Sequence, residues 1–178
     1  MSWTIYESPV GPLTLVGSDD ALRHVRFPGR GRGPALPEAD RDAGAFTAVV
    51  EQLEQYFVGE RRTFDLPLEL EGTELQRQVW SALPRIGYGQ TTSYGALARE
   101  LGLEPGGSAP GAQLVGWAVG RTPTPIVVPC HRVIGADGSL TGYGGGLRRK
   151  QALLDFEASG GVPRVLRERW AQRQLALL

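Results

Sequence analysis

Hydrophobic positions repeat with two different periods along this chain, and the switches between them mark its elements. Residues 3–7, 13–17 and 22–27 are short runs rich in β-branched, aromatic and leucine residues. The turn-forming clusters Ser8-Pro9-Val10-Gly11-Pro12 and Ser18-Asp19-Asp20 separate them, which predicts an antiparallel meander. Apolar content falls between residues 28 and 44, where Gly, Pro, Arg and Asp dominate, and that composition predicts a mobile, solvated loop. Phe46, Val49, Val50, Leu53 and Phe57 then recur at helical spacing, with Gly59 as the stop. The period returns to two at Phe64, Leu66, Leu68 and Leu70. Those four predict a half-buried strand, and Pro67 puts it at a sheet edge.

Helical spacing governs the second half. Thr73-Glu74-Leu75-Gln76 has the spacing of a capping box, and Leu75, Val79 and Leu83 make an apolar stripe ending at Pro84. Ser93 is a cap for a second helix with Leu97, Ala98 and Leu101 facing inward. A Gly/Pro-rich turn over 104–111 precedes a third helix from about 112 to 120. Helix, turn, helix is the arrangement of many DNA readers, and any small helical lobe also contains helix pairs. Ile126, Val127 and Val128 predict a short buried strand that stops at Pro129, which has no N–H to donate. A turn follows at 136–139, then a helix over 147–158 on which Lys150, Leu153, Leu154 and Glu157 share one stripe, because seven residues are nearly two turns. The arginine-rich tail from Pro163, with Val165, Leu166, Trp170 and Leu177, is expected to dock as a short helix. The sum is an α/β chain of two packed lobes: an N-terminal α/β scaffold with a small antiparallel sheet (1–72) and a mostly helical C-terminal lobe (73–178).

Composition narrows the possible partners. A chain of 178 residues buries a real core, as one domain or two small ones. Basic and acidic residues balance at 19 each, so there is no general basic field and any nucleic-acid contact must be local. Lys150 is the single lysine. One cysteine excludes an internal disulfide framework and any multi-cysteine zinc site, and with only His24 and His131 no metal centre or other cofactor is expected. His24 lies inside a predicted strand with no ligand set beside it, so it is expected to be structural. No charged-then-apolar leader opens the chain and no apolar run approaches a membrane span. A soluble monomer of the reducing cytoplasm is the expectation.

The lone thiol, Cys130, is the candidate for chemistry. Thiolate is the nucleophilic form, and an ordinary cysteine with a pKa of about 8.5 is only slightly ionised at neutral pH, so a reactive one needs a base or positive charge nearby. His131 and Arg132 are adjacent, although successive side chains of an extended segment point to opposite faces. A bent chain or a bridging water is therefore needed to connect His131 with Cys130, and a water is the expectation. The residues alone leave a second reading open, in which Cys130 is a small buried hydrophobe. Glu157 is likewise either on the solvated border of its stripe or a buried partner of His131.

Pro129-Cys130-His131-Arg132-Val133, preceded by residues 123–128, resembles the active-site signature of the O6-alkylguanine-DNA alkyltransferases. Thr141-Gly142-Tyr143-Gly144-Gly145-Gly146-Leu147, then Lys150, Leu153, Leu154 and Glu157, is similar to the same family at matching spacing, as is the run over 92–98. The resemblance implies a ribonuclease H-like N-terminal lobe, a helix-turn-helix in the C-terminal lobe, and irreversible transfer of an alkyl group from O6 of guanine in double-stranded DNA to Cys130. It implies that Glu157 holds His131 in the proton-accepting tautomer, that His131 deprotonates Cys130 through water, and that Tyr94 donates a hydrogen bond to the departing guanine. The carbonyls of Cys130 and Val133 would read the exocyclic amine of a base flipped from the helix. Tyr143 and Gly144 would line the pocket, and Lys150 would add positive charge.

Departures from the family pattern collect on the DNA-reading side. Gln113 stands where the family has an arginine that fills the space of the flipped nucleotide. Gly116 matches, but Trp117 replaces a small residue, Thr122 an asparagine that braces the active-site turn, and Gly144 a serine. The turn over 106–110 is also longer. Two function classes follow: a DNA-repair alkyltransferase with a modified grip on DNA, and an alkyltransferase-like enzyme using the same thiol on a small molecule. A cysteine hydrolase is weaker, because no oxyanion hole is evident.

Overall fold

A computed structural model of the chain describes residues 1–18, 20–29, 36–103, 110–163, 166–168 and 170. Three strands, β1 (Ser2–Ser8), β2 (Gly11–Gly17) and β3 (Leu22–Arg26), form an antiparallel sheet in the order β1-β2-β3. The meander read from the period-two pattern is therefore present. Register between β2 and β3 slips at Val16/Gly17, from Val16 opposite His24 to Gly17 opposite Leu22. Helix α1 (Thr47–Phe57) covers the sheet with Val49, Leu53, Tyr56 and Phe57 buried. Its stop, Gly59, has φ +84°, the left-handed conformation that glycine adopts without steric cost.

The segment over 64–70 is extended but is not a strand. Its side chains alternate between half-buried and exposed as the pattern predicted. Pairing is confined to Leu22, whose N–H donates to Pro67 O (2.9 Å) and whose carbonyl accepts from Glu69 N (3.1 Å). Pro67 has no N–H, so the ladder cannot continue through it. Within the predicted loop of 28–44, residues 38–40 form a 3-10 turn, and residues 30–35 lie outside the described residues.

Helix α2 (Glu74–Ala82) starts with both arms of the capping box in place: Gln76 N donates to Thr73 Oγ1 (3.3 Å) and Thr73 N to Gln76 Oε1 (2.8 Å). A 3-10 turn over Leu83–Arg85 carries Pro84 past the helix end. After β4 (Thr92–Ser93), Ser93 Oγ accepts from Ala96 N (3.1 Å) and caps α3 (Tyr94–Glu100). Helix α4 (Gly111–Val119) packs against both α3 and α2. The predicted turn between α3 and α4 falls largely on residues 104–109, outside the described residues. Beyond the cysteine, β5 (Val133–Ile134) pairs parallel with β4, and α5 (Leu147–Ala158) closes the molecule.

The predicted strand at 126–128 does not form. Ile126 instead takes φ +78°, a left-handed conformation that is a real outlier for a β-branched residue, and the chain loops so that Val128 N donates to Thr124 O (2.9 Å). All three apolar side chains are buried, so burial was read correctly and the backbone path was not. A run of three apolar residues cannot distinguish a strand from a buried turn.

Buried side chains form one continuous cluster from Leu13 and Leu15 on the sheet, through Leu53 and Phe57 on α1, to Trp80, Leu97, Ala118 and Leu153. Of the tail, Trp170 is buried, stands edge-on to Tyr6 and donates its indole N–H to Glu7 O; residues 164, 165, 169 and 171–178 lie outside the described residues. No described helix is long and apolar enough to cross a membrane.

Thr73→Ala removes the side-chain arm of the α2 capping box. It is expected to lower stability by about 1 kcal/mol, seen as a lower urea midpoint at unchanged denaturant slope.

Candidate active site

A pair of tight turns delivers the thiol. Pro129, at φ −79° and ψ 60°, sits at the centre of an inverse γ-turn in which Cys130 N donates to Val128 O (2.8 Å). A 3-10 turn follows over Cys130–Arg132, closed by Arg132 N to Pro129 O (3.1 Å) and Val133 N to Cys130 O. The chain therefore bends at the cysteine rather than running extended through it. Cys130, His131 and Arg132 all end up buried.

Beneath this turn lies Glu157 of α5, fully enclosed. Its Oε1 faces His131 Nε2 at 2.7 Å, and an ionised carboxylate only accepts, so Nε2 carries the proton. In the neutral ring Nδ1 is then the acceptor; this nitrogen is buried and meets no hydrogen-bond partner among the described residues. Arg132 Nε donates to Oε2 and Arg132 Nη2 to Oε1, both at 2.9 Å, a bidentate pair. Gly89 N donates to Oε2 (3.0 Å), and the Tyr56 hydroxyl, from α1, donates to Oε1 (2.7 Å). Glu157 is thus a buried partner and not a residue of the solvated border.

These contacts set the charges. Burial alone pushes the Glu157 carboxyl up, but the bonds and charges of His131 and Arg132 outweigh it and hold the group at about 2. Burial lowers His131, against the pull of Glu157, so the imidazole is held neutral. Burial pushes the Cys130 thiol up to about 11, opposed in part by the Thr122 hydroxyl and the charge of Lys150. Thr122 already donates its own proton to Val119 O (2.9 Å), so we rank Lys150 above it as the stabiliser of a thiolate. The resting pair is therefore an uncharged thiol beside an uncharged base, and ionisation must accompany the reaction that uses it.

Lys150 is completely buried on α5. Its ammonium donates to Val133 O (2.6 Å), Thr141 O (2.8 Å) and the Tyr94 hydroxyl (3.4 Å). Tyr94, at the start of α3, donates its own proton to Thr141 O (3.1 Å). The carbonyls of Cys130 and Val133 each accept one internal bond and keep a second lone pair. Tyr143 packs its ring on Phe27 at 5.7 Å, with its hydroxyl buried and without a hydrogen-bond partner among the described residues. Gly144 is exposed, and a side chain at that position would meet nothing within 4 Å. A cavity of about 540 Å³ opens between β3 and the end of α4, lined by His24, Arg26, Arg121, Thr122 and Gly144 among others.

The candidate DNA-contact residues divide. Gln113 and Trp117 are exposed one turn apart on α4. Gly116 is half-buried between them, and a Cβ there would lie 3.7 Å from the Tyr94 ring. Trp117 is 40% exposed and does not pack into the lobe; the Arg121 guanidinium stacks over it at 4.4 Å. Thr122 belongs instead with the thiol and the cavity. Three contributors were not found from the sequence: Tyr56, the Gly89 N–H and the Thr141 carbonyl. Nothing in the local pattern marks a backbone group, and Tyr56 lies on the apolar stripe of α1, where it reads as a core aromatic. Among the described residues no group of three or more His, Cys, Asp or Glu is placed to hold a metal.

Fold and site together define a mixed α/β protein built around a buried cysteine, histidine and glutamate. Residues 1–70 match the ribonuclease-like domain of 6-O-methylguanine DNA methyltransferase, and residues 74–159 match its DNA binding domain. The chain belongs to the 6-O-methylguanine DNA methyltransferase family. It is 49% identical over 154 residues to a methylated-DNA--protein-cysteine methyltransferase of Mycobacterium tuberculosis, covering 86% of this chain and 90% of that one. An archaeal protein of that name, from Methanosarcina acetivorans, is 42% identical over 160 residues, 89% and 99% of the two chains. The crystal structure of M. tuberculosis OGT in complex with DNA superposes with a TM-score of 0.82 at 45% identity, covering 93% of this chain and 98% of that one.

The two glycines at 144 and 145 are predicted to respond oppositely to a side chain. A Cβ on Gly145 would lie 2.7 Å from the rings of Phe27 and Tyr143, so Gly145→Ala is expected to lose roughly 1–3 kcal/mol through overpacking. Gly144→Ser is expected to stay within about 0.5 kcal/mol of the parent. Thermal unfolding of the two variants checks both.

Proposed function

We propose that this protein repairs DNA by taking the alkyl group of O6-alkylguanine irreversibly onto Cys130, one group per molecule. The observation that carries the reading is the buried relay in which Glu157 fixes the proton on His131 Nε2 and leaves Nδ1 able to accept. The sulfur attacks the alkyl carbon, the S–C bond forms as the C–O6 bond breaks, and the electron pair passes into guanine. The thiol proton moves through a bridging water to His131 Nδ1, and Tyr94 turns its hydroxyl proton from Thr141 O to the departing base. Because thiol and imidazole both rest uncharged, charge appears only with substrate in place, where Lys150 stabilises it.

The remaining assignments belong to the same reading. Tyr143 and Gly144 line the base pocket, and the free lone pairs of the Cys130 and Val133 carbonyls accept from the exocyclic amine. Lys150 holds the Val133 carbonyl in position. Residues 1–72 frame a C-terminal lobe, residues 73–178, in which α3 and α4 act as a helix-turn-helix toward double-stranded DNA. Gln113, Gly116 and Trp117 meet the duplex, while Thr122 braces the active-site turn. The protein works as a monomer in the reducing cytoplasm, where Cys130 stays a thiol. Relatives named for methylated DNA at 42–51% identity favour this reading over a small-molecule substrate.

Cys130→Ala is expected to gain no alkyl mass from O6-methylguanine DNA or from free O6-benzylguanine, whereas the parent gains one group from each; intact-protein mass spectrometry reads the result. A parent that reacts with the free base and never with DNA would shift the assignment to small-molecule chemistry.

Gln113 has neither charge nor the reach of arginine, so Gln113→Arg is expected to tighten duplex binding. It should also steepen the salt dependence by about one unit of slope if the new charge meets one phosphate. Titrations at two salt concentrations, with Trp117→Ala as the companion variant, give the slopes.

A further inference from the structure

We infer that Tyr56, on the helix that covers the N-terminal sheet, is a positioning residue for the reaction at Cys130, acting through Glu157 and His131. The inference rests on the alkyl-transfer reading above. Its basis is that Glu157 Oε1, the oxygen bonded to His131 Nε2 at 2.7 Å, accepts the Tyr56 hydroxyl at the same distance. A carboxylate is free to rotate about its last bond unless its donors are fixed. Arg132 and Gly89 approach it from the C-terminal lobe, and among the described residues only Tyr56 reaches it from the first sixty.

The tyrosine is held with little freedom. Its ring is 1% exposed and packs against Phe57, Phe64 and Tyr88 at 5.1, 5.4 and 5.8 Å. The end of its helix is fastened to the segment that follows α5: Val162 N donates to Phe57 O (2.8 Å), and Gly59 abuts Gly160 closely enough that any side chain there would strike its carbonyl. Helix α1 and the helix carrying Glu157 are thereby joined at the same end. Docking of the N-terminal lobe and orientation of the catalytic carboxylate become one event.

The hydroxyl also adjusts the strength of the relay. By donating to Oε1 it draws off electron density that would otherwise strengthen the bond to His131. The other polar groups facing the pair are Arg132 in the turn, Lys150 on α5, the Gly89 N–H and Tyr88 in the 87–90 turn, and Tyr143. None of them is altered by Tyr56→Phe, which removes one oxygen and keeps the ring.

The test is single-turnover alkylation of full-length protein by O6-benzylguanine and by O6-methylguanine duplex, across pH, for the parent, Tyr56→Phe and Tyr6→Phe. Tyr6 is a control in the same lobe, with a buried hydroxyl that has no hydrogen-bond partner among the described residues. Tyr56→Phe is expected to slow transfer about ten-fold with both substrates, the lower end for partners that orient a functional imidazole. The acid limb of its pH profile should move upward, since a less satisfied Glu157 holds a proton on His131 more strongly. Tyr6→Phe should match the parent in rate and profile. In a Glu157→Gln background the Tyr56 substitution should add little. An unchanged rate and profile, slowing confined to the duplex, or full additivity with Glu157→Gln overturns the inference. A parent that gains no alkyl mass overturns the functional reading instead. Should Tyr56→Phe fail to fold, proton NMR of the parent decides: a slowly exchanging Tyr56 hydroxyl proton with a cross-peak to the His131 ring is expected, and its absence counts against the role.

Discussion

One buried carboxylate organises this molecule. Glu157 accepts hydrogen bonds from His131, Arg132, Gly89 and Tyr56, which come from the cysteine turn, the segment before β4, and the first helix. A carboxylate enclosed without partners would take up a proton. Enclosed with these donors it stays ionised, neutralised by Arg132 and still able to orient an imidazole. Pairing of this kind is weak support for overall stability, because desolvation offsets most of the attraction. Its value is specificity, since removing any one donor leaves a buried charge short of a partner.

The thiol is placed by backbone geometry rather than by regular structure. Ile126 occupies a conformation that costs on the order of 1–3 kcal/mol, and its complete burial helps hold it there. The γ-turn at Pro129 then brings Cys130 and His131 round so that the next residues, Val133 and Ile134, pair with β4. Lys150 fastens the same short strand from below through the Val133 carbonyl. The reactive atoms are thus gripped from both sides of the turn. The thiol itself is kept protonated by burial, so in the proposed reaction it stays unreactive until substrate arrives.

The surface that would face a nucleic acid is modest in charge. With no net charge overall, attraction must come from local groups, and α4 presents Gln113 and Trp117 with Arg121 stacked on the indole. A guanidinium lying on an aromatic ring keeps its charge while losing rotamer freedom. Trp117 offers a flat apolar face one turn beyond the position where the family pattern has an arginine, and Arg121 a cation one turn further on.

Much of this was legible in the sequence because it depends on neighbours along the chain. Periodicity marked the meander, α1 and α5, and the Thr73 capping box located the start of α2 to the residue. The seven-residue interval between Lys150 and Glu157 placed both on one stripe, since helix geometry alone determines it. What failed were segments whose backbone is decided elsewhere. The alternation over 64–70 was right about burial, but a strand needs a partner, and Pro67 allows only the pairing at Leu22. Ile126, Val127 and Val128 were right about burial too, but the left-handed turn at Ile126 is imposed by the packing around it. Tyr56 and Glu157 stand 101 residues apart, and no local pattern reports a contact made across that interval. Sequence by itself determined which apolar residues would be buried and which residues were candidates for chemistry; the burial of Glu157 and the directions in which these groups meet were left to the tertiary fold, because hydrogen bonds between distant elements exist only once those elements have docked.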